Sequence, residues 1–413
     1  MLACVALGAL ALSPSFAAAR HGDNQAEWPQ GWEQSENLSV ARETTPTLSA
    51  ATVAATENAI QRYQDIASKG GWRPVPGGQS LKLGANGRAV QALRQRLLTT
   101  GDINEDAGAG ATFDSFVEAG VKRFQIRHGL GPTGAVDNET LTALNVTADE
   151  RLRELQINLV RLRAFSGDLG ERFVMVNLPA ASVETVEAGQ VFSHHKAGVG
   201  RIDRQSPIMQ TKALEINFNP FWNVPPSLIK KDLIPKMKAN PDYLTEEKIH
   251  VINKEGQEVQ PSAINWNTDE ATHFRYRQEP GGEVDALGAV RININNPYGV
   301  YMHDTPEKGI FGDDFRFVSS GCVRVQDVRD YVAWLLKDNQ GWTREQIDET
   351  IRTGQRLDVK LVKPVNVYWV YVTAWATPDG IVQFRPDIYK RDGEGAGPVA
   401  DATPARPLAL PQE

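Results

Sequence analysis

Of the chain's two cysteines, Cys4 and Cys322, only Cys322 lies where a thiol could do chemistry. It sits in Phe317-Val318-Ser319-Ser320-Gly321-Cys322-Val323-Arg324, and Tyr301-Met302-His303-Asp304-Thr305-Pro306 lies shortly before it. A cysteine attacks as its thiolate, which an imidazole, a cation or a helix N-terminus can stabilise. His303 offers the first and Arg324 the second. A helix expected to begin at Val323 would offer the third. Gly321 permits close approach of the backbone to a reacting carbonyl, so N–H groups around Cys322 could form an oxyanion hole. The competing reading is a buried structural cysteine, the common fate of a lone thiol. The polar, glycine-containing surroundings favour a reactive one.

Other constellations are weaker. His194 and His195 are strand neighbours, so they face opposite ways and cannot share a metal; both read as surface or edge residues. No H-x-x-x-H or C-x-x-C spacing occurs, and no metal or cofactor is expected. His128 ends a helix and reads as a surface or C-terminal-turn histidine. Lys230, Lys231, Lys236 and Lys238 form either a solvated helix face or a surface that meets an anionic polymer. Trp222, Asn223 and Tyr301 are candidate lining for a substrate groove, with core packing as the alternative for the two aromatics.

The elements that must position these residues follow from pattern. At 413 residues, with 41% apolar and 23% charged residues, the chain has room for two or three domains. Its net charge of −7 (44 basic against 51 acidic) argues against nucleic-acid binding. Residues 1–19 are uncharged, apolar and end in Ala17-Ala18-Ala19, which reads as a secretory signal peptide, although the usual positive n-region is missing. Its removal would leave one cysteine and no internal disulfide. Nothing later is apolar for long enough to span a membrane. Residues 20–79 read as a flexible lead-in with a short helix carrying Ile60, Tyr63 and Ile66 and ended by Gly70-Gly71. From 80 to 146 three helices are expected, on Val90, Leu93 and Leu97, then Phe113, Phe116, Val117, Val121 and Phe124, then Leu141 and Leu144 behind an Asp137 cap. A linking helix covers 147–171. From 172 to 365 the period becomes β-like, with strands over 173–178, 190–195, 213–218, 289–294 and 299–303, turns at Pro179 and at 198–200, and a charged helical insertion over 227–260 without a core of its own. Strand returns over 360–372 within a C-terminal region 366–390, and 391–413 read as a disordered tail. The fold class is α+β: a β-rich, mostly antiparallel catalytic domain with a helical lid, plus a small three-helix domain.

Two resemblances sharpen this. The string L-x-x-G-x-x-G-x-x-V-x-x-L from Leu81, followed by V-x-x-F-Q-x-x-x-G-L-x-x-x-G-x-V-D-x-x-T-x-x-x-L-N from Val121, resembles the peptidoglycan-binding module of bacterial wall enzymes. S-x-G-C-x-R after a histidine resembles the active site of the L,D-transpeptidases, the YkuD-type catalytic domain. Arg204-Gln205-Ser206-Pro207, Asn219 to Pro226 and Asn296 to Pro306 are similar to the large periplasmic branch of that family. The resemblance implies Cys322 as nucleophile, His303 as base, and Ser319, Gly321 and Arg324 as supports. It also implies peptidoglycan stem peptides as substrate, a periplasmic location and inhibition by carbapenems. Possible acyl acceptors are a diaminopimelate amine, water (an L,D-carboxypeptidase) or a lysine of an outer-membrane protein. Many members have histidine where this chain has Ser320. A sortase places its histidine much farther from its cysteine, and a non-catalytic wall-binding protein would have lost motif residues that are all present here.

Overall fold

A computed structural model describes residues 44–393, apart from 79, 166, 282 and 283. The expected signal segment, the lead-in before 44 and the tail beyond 393 lie outside the described residues. The first residues of the expected tail do not: Asp392 is buried and pairs with Arg161 at 2.6 Å, and the Arg391 carbonyl accepts from the same guanidinium. Among the described residues no helix is long and apolar enough to cross a membrane.

The helix Ala50–Ser68 is capped by Ser49, whose Oγ accepts from Thr52 N, and Gly70 and Gly71 follow it with positive φ. Its buried face is Thr52, Thr56, Ala59 and Tyr63; Ile60 and Ile66 are only half-buried. The three expected module helices are Arg88–Thr99, Ser115–Arg127 and Asn138–Asn145, the last two capped by Asp114 and Asp137. Val90, Leu93, Leu97, Phe113, Val117, Val121, Phe124 and Leu144 fill the core between them. Phe116 departs from expectation and is 57% exposed, because 113, 117, 121 and 124 already complete the inward stripe. His128 departs too: it ends its helix as expected but is buried, stacked between Phe124 and Phe384. The helix Ala148–Ala164 starts on a Thr147–Glu150 capping box.

The strands that follow are β1 (Arg172–Asn177), β2 (Ser182–Glu187), β3 (Gln190–Gly200) and β4 (Met209–Phe218). Next come β5 (Trp222–Asn223), β6 (Ile249–Ile252), β7 (Glu258–Val259) and β8 (Arg275–Gln278). The last are β9 (Val290–Ile294), β10 (Met302–His303), β11 (Phe317–Ser319), β12 (Val323–Val325), β13 (Leu357–Val370), β14 (Ala374–Ala376) and β15 (Val382–Phe384). Nine of them form one sheet in the order β11-β3-β12-β10-β9-β4-β13-β1-β2. β3 also pairs with β2 along its first half, so the sheet closes on itself with β3 as the seam. Three of the pairings are parallel (β1–β13, β10–β12, β11–β3) and the rest antiparallel. β3 runs through Gly198–Gly200, where a turn was expected. The turn comes after it, closed by Arg204 N to the Arg201 carbonyl. Helices Val328–Leu335 and Arg344–Arg352 pack against the sheet.

The insertion differs most from expectation. It extends beyond 227–260 and is only partly helical, ending in a four-stranded sheet ordered β5-β8-β6-β7. It also has a core: Ile229, Leu233, Ile234, Met237, Leu244, Val251 and Tyr276 are all buried together. Apolar residues at 229, 233, 234 and 237 repeat at helical spacing, but lysines between them hide the pattern. Those lysines are exposed, as a solvated face requires.

Candidate active site

β10 lies parallel to β12, with Met302 opposite Val323 and His303 opposite Arg324. Val323 N donates to the Tyr301 carbonyl at 3.0 Å, so the register continues with Tyr301 beside Cys322. Side chains alternate along strands. Met302 and Val323 therefore point into the core, where both are fully buried, while Tyr301, His303, Cys322 and Arg324 share the other face. Arg291 on β9 is opposite His303 and joins that face, its guanidinium 5.4 Å from the Tyr301 ring centre. His303 and Cys322 are diagonal neighbours, within about 7–8 Å between backbones. Residues nineteen apart in sequence thus meet because two short strands run side by side.

The helix expected to start at Val323 is absent. Val323–Val325 is a strand, as two β-branched residues flanking an arginine favour, and helix begins only at Val328, after Asp327 in a left-handed conformation. The helix that follows the thiol thus starts beyond the strand and not at Val323. The turn is held by other groups. Ser319 Oγ donates to the Cys322 carbonyl at 2.6 Å and accepts from Gly321 N at 3.1 Å. Ser206, fully buried, donates to the Gly321 carbonyl and accepts from Gly200 N, both at 2.9 Å. Tyr389 Oη donates to the Gly200 carbonyl at 2.5 Å. Gly321 has φ +116°, a conformation closed to other residues, and a Cβ on Gly200 would lie 2.3 Å from the Arg204 carbonyl. The N–H groups of Gly321 and Val323 are therefore engaged. That of Cys322 bonds to no described residue, which leaves it as the donor available to an oxyanion.

The resting electrostatics differ from a preformed thiolate. Burial pushes the Cys322 thiol up to about 11, against the pull of Tyr301, Arg324 and Arg291. Burial, reinforced by the Arg324 charge, holds His303 down at about 4. At neutral pH the pair is a neutral thiol beside a neutral imidazole. His303 is 5% exposed and its Nδ1 has no partner among the described residues; Arg324 donates to Glu307 at 2.6 Å, but its Nε is likewise unpartnered. Trp222 Nε1 donates to Tyr301 Oη at 3.0 Å, which ties the insertion to this face, and the phenol in turn hydrogen-bonds the Cys322 thiol. Asn223 is exposed and pairs through its backbone with Arg277 on β8; nothing brings it to the thiol. His195 corrects its surface assignment: it is buried, held by Ser193 Oγ and the Gln326 carbonyl, while His194 on the opposite side is exposed. No group of three or more metal-binding side chains occurs among the described residues. Ser206 falls within the Arg204-Gln205-Ser206-Pro207 string, yet its clasp on Gly321 needs the fold to be seen. Tyr389, far along the chain, gives no sequence signal at all.

A thiol and an imidazole on one face of a closed sheet, with a free N–H at the thiol's own residue, is a site suited to acyl transfer. Residues 171–365 match the family model of the L,D-transpeptidase catalytic domain, and residues 86–144 match that of a "Putative peptidoglycan binding domain". The chain is thus similar to an L,D-transpeptidase catalytic domain over 171–365 and, ahead of it, to a peptidoglycan-binding domain over 86–144. It is 34% identical over 241 residues to a "Putative L,D-transpeptidase" of Haemophilus influenzae, covering 58% of this chain and 48% of that protein. The match thus spans about half the length of that curated relative. Among solved structures, the L,D-transpeptidase (residues 123–326) of Xylanimonas cellulosilytica is 15% identical over 71% of this chain and 99% of its own, with a TM-score of 0.24. An L,D-transpeptidase from Mycobacterium smegmatis is 13% identical over 48% and 58%, with a TM-score of 0.23. At these values the structural likeness is slight and carries no weight.

Proposed function

We propose that the protein is a peptidoglycan L,D-transpeptidase of the cell envelope, with Cys322 as nucleophile and His303 as general base and acid. The observation that carries this is the shared face of the β10–β12 pair, which presents both groups beside an uncommitted Cys322 N–H. Cys322 Sγ attacks the carbonyl of the third residue of a tetrapeptide stem as its proton passes to His303. The oxyanion meets the Cys322 N–H, with Tyr301 Oη and Arg324 nearby. Collapse breaks the bond to the terminal D-alanine, whose amine takes the proton back from His303 and leaves. An acceptor amine then attacks the thioester, gives its proton to His303, and releases the thiol, which recovers that proton. One amide replaces another, so neither ATP nor a metal is required. Because the resting pair is neutral, proton transfer accompanies attack instead of preceding it.

The acceptor in this reading is the side-chain amine of diaminopimelate on a neighbouring stem, giving a three-to-three crosslink in periplasmic wall synthesis. Water would yield a carboxypeptidase, and a lysine of an outer-membrane protein would yield an anchoring enzyme. Incubating the purified protein with a disaccharide-tetrapeptide separates these by mass. The expected products are free D-alanine and a crosslinked dimer. Loss of D-alanine with tripeptide alone would assign the carboxypeptidase, and no loss would overturn the reading. A carbapenem is expected to acylate Cys322, seen as a whole-protein mass shift absent in Cys322→Ala.

A further inference from the structure

Arg204 connects the insertion to the turn that carries the thiol. Its Nη1 and Nη2 donate to the two carboxylate oxygens of Asp232 at 2.5 and 2.6 Å, and Nη1 also donates to Ser320 Oγ at 3.0 Å. Arg204 stands in the turn after β3, two residues before Ser206, whose hydroxyl grips Gly321. That side of the contact is therefore fixed to the nucleophile turn. Asp232 stands on the insertion, in the wide π-helical turn Ile229–Leu233, a form that recurs at functional sites. Ile229 and Leu233 beside it are buried in the insertion's own core, so Asp232 cannot move without carrying that core along. The guanidinium is largely shielded, at 12% exposure against 34% for the carboxylate, so the pair is better insulated than a surface salt bridge. Its planar fork meets both carboxylate oxygens in a bidentate pair and still reaches the hydroxyl, a geometry that a lysine does not reproduce.

We infer that Arg204 is a positioning residue that latches the insertion over the nucleophile turn through Asp232, and that this latch favours the amine over water as acceptor for the thioester. The inference rests on the proposed transpeptidation. Closure excludes bulk water from an intermediate that hydrolyses readily, whereas first acylation by the stem peptide needs no such exclusion.

Asp232→Asn keeps the shape and the Ser320 contact but removes the charge. Arg204→Lys keeps the charge but loses the fork. In both, the ratio of tripeptide to dimer should rise about threefold to fivefold, the worth of a partly shielded ion pair. D-alanine release should stay within twofold, and amides of residues 226–246 should exchange with deuterium faster. Asp232→Glu should restore the wild-type ratio, and Ser320→Ala, which spares the ion pair, should leave it unchanged. An unaltered ratio and unaltered exchange in a folded Asp232→Asn protein would overturn the latch, as would a Ser320→Ala effect equal to that of Asp232→Asn. Should the wild type release no D-alanine, the enzyme reading falls, while deuterium exchange in the same variants still decides the latch.

Discussion

The three-helix module and the face that carries Cys322 bury polar groups in opposite ways. In the module, Arg127 meets Asp102 at 2.6 Å with side chains 7% and 2% exposed, and donates to both carboxylate oxygens. Burial disfavours the guanidinium's charge, but the Asp102 charge and hydrogen bonds more than reverse this. Arg96 donates to the Leu144 carbonyl and Thr100 and lies 3.7 Å over the Trp72 ring. On the face that carries Cys322, His303 Nδ1, Arg324 Nε and the Cys322 N–H lack partners among the described residues. Completed networks hold a shape; uncompleted ones beside a nucleophile leave bonds for a substrate to make. An orphan atom alone does not mark a site. His128 Nε2 is also unpartnered, yet its ring is pressed between Phe124 and Phe384, with ring centres 3.8 and 5.4 Å away, where a packing role accounts for it.

The largest expected effect tests the open side of this contrast. Cys322→Ala should abolish D-alanine release while leaving the thermal transition in place; release by the variant would transfer the nucleophile's role elsewhere. His303→Ala should slow release about 10²- to 10⁴-fold, the usual worth of a general acid–base. A loss under tenfold would displace the base. The neutral resting pair has its own signature. With the thiol near 11 and the imidazole near 4, alkylation of Cys322 by iodoacetamide should climb about tenfold per pH unit and show no plateau below pH 9. A plateau near pH 7 would mean that a thiolate–imidazolium pair already exists before substrate binds.

The closed side of the contrast predicts a stability effect. Asp102→Asn strands the Arg127 charge in the interior and should cost about 3–5 kcal/mol, read as a fall in denaturation midpoint. The loss should extend beyond the module, because Arg127 also donates to the Val382 carbonyl on β15 and Arg385 donates to the Arg127 carbonyl. The module is docked, with Phe384 packed on His128 and lying under the Arg151 guanidinium. Cutting out 80–146 would therefore uncover Phe384, and point variants are the cleaner probe. A transition in Asp102→Asn within 1 kcal/mol of wild type would show that the ion pair is dispensable.

What the sequence made legible follows from range. Local periodicity and caps placed the module helices, since Asp137 and the spacing of 113, 117, 121 and 124 act within a few residues. The alternation around His303 and Cys322 placed both on strand or turn, and the resemblance paired them. Their common face needed the β10–β12 register, which no local pattern states. The strand after Cys322 is masked in the sequence because Val323 and Val325 run straight into the apolar helical spacing of Val328, Val332 and Leu335. Asp327, in its left-handed conformation, is where the helix is barred from running further. The contacts of Ser206, Arg204 and Tyr389 are not legible for a different reason: Ser206 and Arg204 act on the turn from more than a hundred residues away, and Tyr389 acts on it through Gly200 and Ser206.

The smallest expected effect concerns the module's outer surface. The inward stripe is complete without Phe116, and Phe116 and Leu83 are 57% and 59% exposed. Gly84 N donates to the Phe113 carbonyl at 2.9 Å, which sets the Leu83 turn against the start of the helix that carries Phe116. Neither side chain serves the core, so replacing both with serine should change stability by no more than about 0.5 kcal/mol each. If this surface meets the wall polymer, the two apolar groups contribute by burial against it, and losing each should cost about 1 kcal/mol of binding. Sedimentation with intact sacculi should then weaken roughly thirtyfold for the Leu83→Ser, Phe116→Ser protein, while turnover of a small soluble muropeptide, which engages only the Cys322 face, should be unchanged. Undiminished sedimentation would move the wall-binding surface to another side of the module. A fall in turnover to match would mean that the two residues act through the fold, and the separation between a closed binding module and an open catalytic face would not hold at this surface.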